Sequence, residues 1–120
     1  MAPPDRVILR ERSLAAFGQR YRLEVMLAAA AVEDGFVSLS DIAKQVDVAI
    51  SNVQGPVRSL VRLGLLTPVP HGDSRHRFYL RNPSAAWAWV AELRDQALLT
   101  SNSATSPSTV IDDASDQRPE

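Results

Sequence analysis

Residues 39–66, LSDIAKQVDVAISNVQGPVRSLVRLGLL, restrict the fold more than any other stretch of the chain. Two short amphipathic helical patterns follow each other with three residues between them. In the first, Ser40 is an N-cap residue and Asp41 suits the positive helix end. Ile42, Ala43 and Val46 share its inner face. Asp47-Val48-Ala49 is a tight connection. The second pattern runs from residue 50 or 51 to 63. Val53, Val57, Leu60 and Gly64 fall on one stripe, and Gly64 stands where a glycine stops a helix. Two short helices joined this closely predict a helix-turn-helix.

The second helix carries an unusual outer side. At 100° per residue, Ser51, Gly55, Arg58 and Arg62 oppose the apolar stripe, flanked by Asn52, Gln54 and Ser59. This side holds no acid and no large aliphatic residue. Ser, Asn, Gln and Arg are the side chains that read base edges or bind phosphates in a major groove, and Gly55 would admit a close backbone approach. Gly55-Pro56 interrupts the pattern. Proline removes one donor and disfavours helix at the residue before it. The helix is therefore expected either to begin near Pro56 or to kink there, with the carbonyl near Asn52 short of its usual partner.

After Gly64 the period changes from helical to alternating. Residues 65–69 read as a strand that Pro68 and Pro70 confine to an edge. His71-Gly72-Asp73-Ser74 is turn chemistry. Residues 75–81 then alternate, with His76, Phe78 and Leu80 expected inward and Arg75, Arg77, Tyr79 and Arg81 outward. His76 is expected as a partly buried structural histidine. Arg75 and Arg77 are expected to reach phosphate or the minor groove, with His71 at the tip and Arg81 further back.

Earlier in the chain, Leu23, Met26, Leu27, Ala30 and Ala31 follow the spacing of a core-facing helix that Gly35 ends. Ser13 is expected to cap a short helix through Phe17. A last helix is expected over 85–98. Residues 85–91 are all apolar, so this helix shows apolar surface nearly all round. A small core leaves one side uncovered, which points to an interface.

Composition narrows the classes further. The 120-residue chain has no cysteine, which excludes disulfides, a cysteine nucleophile and thiolate metal sites. No apolar run is long enough to cross a membrane, and the first residues do not pattern as a secretory signal. Residues 1–99 carry a net charge of +2, with Lys44 the only lysine, whereas 100–120 carry −3. A nucleic-acid role must therefore rest on where the arginines sit. Residues 100–120, rich in Ser, Thr, Asp and Pro, are expected to be a disordered acidic tail. Residues 1–12 are expected to be an arm whose Arg6, Arg10 and Arg12 touch DNA or a partner, leaving 13–99 as the domain. No P-loop, GxSxG, HExxH or comparable constellation is present, so catalysis is not expected, nor is a cofactor or metal.

The order helix, helix, strand, helix, helix, hairpin, helix resembles the winged helix-turn-helix transcription regulators, the ArsR-like branch first and the MarR-like branch next. The likeness lies in LAAFGQRYRLEVMLAA, with its Arg22-Leu23 pair, in the 39–66 segment with its Gly64-Leu65-Leu66 exit, and in RHRFYLRNP. It covers roughly 13–98. It implies a mainly α fold with a small β-hairpin wing, DNA binding, and a homodimer made by the first and last helices. Metal sensing, known in the ArsR-like branch, uses cysteines and histidines; this chain has no cysteine and only His71 and His76, so it is not expected.

The expected DNA contacts are Ser51, Asn52, Gln54, Gly55, Arg58, Arg62, Arg75, Arg77 and Lys44. Arg20 and Arg22 are weaker candidates, because Arg22 could instead pair with Glu24 or Asp41. The expected dimer surface is Leu14, Phe17, Trp87, Trp89, Val90 and Leu93. The expected function is a cytoplasmic, nucleoid-associated transcription regulator, with repression favoured, that binds a palindromic operator. Such an operator needs two recognition helices about 34–36 Å apart, which a two-fold dimer supplies. Two rival readings share the fold: a protein-interaction module, and a mobile-element protein acting in partition or recombination.

Overall fold

The computed structural model describes residues 3–70 and 77–104. Their order is α1 (Pro3–Phe17), α2 (Arg22–Ala31), β1 (Phe36–Ser38), α3 (Leu39–Val46), α4 (Ile50–Arg62), β2 (Leu66–Val69), β3 (Phe78–Arg81) and α5 (Ala85–Ala104). The fold is mostly helical, with one antiparallel sheet in the order β1-β3-β2. None of the described helices is long and apolar enough to cross a membrane.

α1 begins well before the position expected from sequence. Prolines are tolerated in a first helical turn, and Asp5 suits the positive end there. The residues read as an arm thus lie largely inside a helix, which Gly18 stops at φ 69°. Ser13 is buried in the middle of α1 rather than capping it. Its hydroxyl donates to the Gln19 carbonyl and accepts from the Leu23 N–H at 3.1 Å. It therefore serves the start of α2, whose own cap residue Tyr21 makes no side-chain bond.

α2 lies at the centre, touching α1, α3, α4 and α5. Being covered on several sides, it buries Val25, Ala29 and Glu24 in addition to Leu23 and Met26. The single stripe expected from sequence is too narrow, and Ala31 at its end is exposed. At α3, Ser38 rather than Ser40 is the N-cap: its hydroxyl accepts from the Asp41 N–H at 3.4 Å. Asp47, left-handed at φ 63°, ends α3, and the 47–49 connection leads into α4 as read from the sequence.

The faces of β3 are the reverse of the expectation. Val37, Tyr79 and Pro68 stand in register, as do Leu66 and Arg81. Val37 and Leu66 are buried and Tyr79 packs against the core, so the odd-numbered residues of β3 face inward. Phe78 and Leu80 share the outer face with Phe36, which stacks on Phe78 at 4.9 Å. Alternation identifies a strand, but pairing with β1 and β2 decides its parity, and a one-residue change flips every side chain.

α5 runs to Ala104, so the first residues of the expected tail are helical. Val90, expected on a dimer surface, is fully buried in its own chain's core.

Candidate nucleic-acid interface

α4 begins at Ile50, so a start near Pro56 is excluded. Pro56 sits inside the helix and brings no N–H to the Asn52 carbonyl. Its ring is buried with Val53, Val57 and Leu60, which turns the opposite side outward. Ser51, Asn52, Gln54, Gly55, Arg58 and Arg62 are all exposed. α4 contains no acid to offset its arginines.

A groove of about 360 Å³ separates α4 from the sheet and brings three expected site residues, Gln54, Arg58 and Arg77, together. Gln54, Arg58 and Val61 line it from α4, and Pro68, Arg77 and Tyr79 from the sheet side. Lys44 stands apart from that groove, on an open hollow between α3 and the start of α4 that Ser40, Asp47 and Ile50 also line. Arg75, His71 and His76 lie outside the described residues, as does the hairpin tip.

The arginines divide into two groups. Arg6 and Arg10 both bind Glu24, at 3.0 and 2.7 Å, and both donate to the Val46 carbonyl at the end of α3. Arg81 donates to the carbonyls of Ala29, Ala30 and Val32, at 2.7, 3.2 and 2.5 Å, and so closes the end of α2. The sequence reading placed Arg81 towards the wing surface; the parity of β3 turns it inward. Among the described residues Arg22 pairs with no acid; its guanidinium lies 5.5 Å from the Phe17 ring. Among the described residues, Lys44, Arg58, Arg62 and Arg77 make no ion pair. Four of the cations expected on DNA are thus without a carboxylate partner among the described residues.

Sequence reasoning named Glu24 only as a possible partner of Arg22, because a carboxylate beside Leu23 in a helix gives no local sign of burial. It did not single out Ile50, the exposed first residue of α4. At 100° per residue Ile50 lies beside Gln54, and that signal was available.

A second surface gathers part of the expected dimer set. Phe17 meets Trp89 edge-to-face at 5.7 Å, joining α1 to α5. Leu14 and Trp89 are exposed by 45% and 44%, and Val7 and Leu99 add further exposed apolar surface on the same two helices. Trp87 and Leu93 are half-buried, and the Trp87 Nε1 donates to the Asn82 carbonyl at 2.7 Å.

No protein-family model matches the chain, and no curated protein does. Solved structures do resemble it. Bordetella bronchiseptica BpsR, whose DNA binding is regulated by 6-hydroxynicotinic acid, superposes with a TM-score of 0.64 at 18% identity, over 88% of this chain and 76% of that one. AbsC of Streptomyces coelicolor, a MarR-family transcriptional regulator, gives 0.62 at 15% identity, over 86% and 74%. A MarR-family regulator of Silicibacter pomeroyi gives 0.60 at 17% identity, over 87% and 70%. Two of these three are MarR-family regulators, so the likeness in fold includes the MarR-like branch, whereas a tie to the ArsR-like branch is not shown. The chain has the winged-helix fold of these MarR-family regulators.

Proposed function

We propose that this chain is a sequence-specific DNA-binding transcription regulator that acts as a homodimer on a palindromic operator. Repression by occupancy is the favoured mode, in the cytoplasm and on the nucleoid. The observation that carries this reading is the outer side of α4. It is polar and acid-free, and its Arg58 faces Arg77 across one groove with neither engaged by a carboxylate among the described residues. Serine, asparagine, glutamine and arginine at these positions supply both base-edge and phosphate contacts. α4 would enter the major groove, and the hairpin, with Arg75 and Arg77, would follow the adjacent backbone. The exposed apolar residues of α1 and α5 support the dimer.

A second reading, a winged helix that binds a protein, draws on the outer sheet face, where Phe36 stacks on Phe78 beside exposed Leu80. A mobile-element role in partition or recombination would use the same α4 surface. Purified protein mixed with sheared genomic DNA tests these readings. One recurrent, two-fold symmetric motif near promoters is the expected result. No enrichment would remove the DNA-binding readings and leave the protein-interaction module. Enrichment confined to element ends or partition sites would favour the third.

A further inference from the structure

We infer that α4 reads its site at close range, with its backbone at Gly55 against the duplex and the Ile50 side chain against a thymine methyl; this rests on the DNA-binding reading above. Two of the exposed residues of α4 have no polar side chain, and neither is among its buried residues. The first is Gly55. Glycine inside a helix weakens it relative to alanine, so a helical glycine needs a reason. Gly18, Gly35 and Gly64 have one, with φ of 69°, 73° and 80°. Gly55 lies inside a helix and has no positive φ, and a Cβ added there would meet no atom of the described residues within 4 Å. Neither backbone conformation nor packing requires it. What remains is a partner that approaches the helix backbone from outside.

The second is Ile50, the first residue of α4. It is 43% exposed and takes no part in the core. Ala43, Val48 and Ala49 line the hollow against α3 beside it, together with Ser40, Lys44 and Asp47, so its aliphatic side chain stands exposed in a mixed surround. The N-terminal residues of a recognition helix are those that meet base edges. The apolar feature exposed in a major groove is the thymine C5-methyl, which aliphatic side chains contact. Bare backbone at Gly55, one and a half turns further on, lets the helix sit deep enough for a side chain at its start to reach that methyl.

The test uses the full chain and duplexes that the wild type enriches from a randomised pool. Each thymine of the enriched sequence is replaced in turn by deoxyuridine, which lacks only the methyl. At one thymine per half-site, replacement is expected to weaken wild-type binding about fourfold, the factor for one buried methyl. Ile50→Ala is expected to bring that ratio to about one while leaving other positions unchanged. Gly55→Ala is expected to raise Tm by about 2–6 °C and yet weaken binding to the same duplex by about tenfold or more. A thymine effect that survives in Ile50→Ala overturns the inference. So does Gly55→Ala protein that binds as well as wild type, or that melts lower. If the wild type enriches a sequence but ignores every thymine-to-uracil change, the inference falls and the DNA-binding reading stands. If no sequence is enriched, both fall.

Discussion

The Arg10 guanidinium donates through Nε to the Glu24 carboxylate at 2.7 Å and, through a second nitrogen, to the Val46 carbonyl at 3.0 Å. Arg6 repeats the pattern and adds the Gln45 carbonyl at 3.2 Å. Glu24, 5% exposed, thus joins α1 to α2 and, through both arginines, to the C-terminal end of α3. Cations at that end also complement the helix dipole.

Removing Glu24 should therefore destabilise the fold without touching any DNA contact. Both arginines are partly solvated, with 21% and 25% of their side chains exposed, which lowers the cost below that of a fully buried pair. Glu24→Ala is expected to cost about 2–3 kcal/mol. Urea unfolding checks it: the midpoint should fall with the m-value unchanged. A loss under about 0.5 kcal/mol would show that the network adds nothing to stability.

Arg81→Ala should behave as a structural change rather than as loss of a DNA contact. It strips the donor from three carbonyls at the end of α2. The expected cost is about 2 kcal/mol, since bonds from charged donors contribute more than neutral ones. The slope of log K against log salt should stay at the wild-type value. A slope reduced by about 0.9 would place Arg81 on phosphate instead.

Arg58→Ala with Arg77→Ala should do the opposite. Both side chains are exposed and line one groove, so the fold should be barely affected. If each meets one phosphate, the salt slope should shrink by about 1.8. An unchanged affinity and slope in the folded double variant would remove these residues from the interface. Adding Arg75→Ala should shrink the slope further.

Light scattering separates the two tryptophans. The wild type is expected at twice the 13.1 kDa chain mass. Trp89→Ala removes an exposed ring from the α1–α5 surface and should shift the protein towards monomer, since a central interface aromatic often contributes more than about 2 kcal/mol. Trp87→Ala loses the bond to the Asn82 carbonyl and should lower Tm more than it weakens association. A wild-type mass near that of one chain would refute the dimer.

Much of the helix-turn-helix was legible because its signals are local. The period of 3.6 in 50–63, the stop at Gly64 and the alternation over 75–81 each depend on neighbours within a few residues. The outer side of α4 was legible for the same reason: once the buried stripe is known, helical geometry assigns the rest. Pro56 was harder. Its local preference argued for a break, but burial of its ring with Val53, Val57 and Leu60 keeps it inside a helix that starts at Ile50.

By itself, then, the sequence determined the order of elements, the recognition-helix face and the absence of acid on it. Tertiary structure decided which arginines remain free. Arg6 and Arg81 look no different from Arg58 in sequence. Their partners lie far along the chain, at a sequence separation of 40 for Arg6 and Val46 and of 52 for Arg81 and Ala29. The same holds for β3, whose inward face follows from its register with β1 rather than from its own alternation. Periodicity reports which residues share a face. Only the packing of distant segments, where burying a charge requires a partner, determines what that face meets.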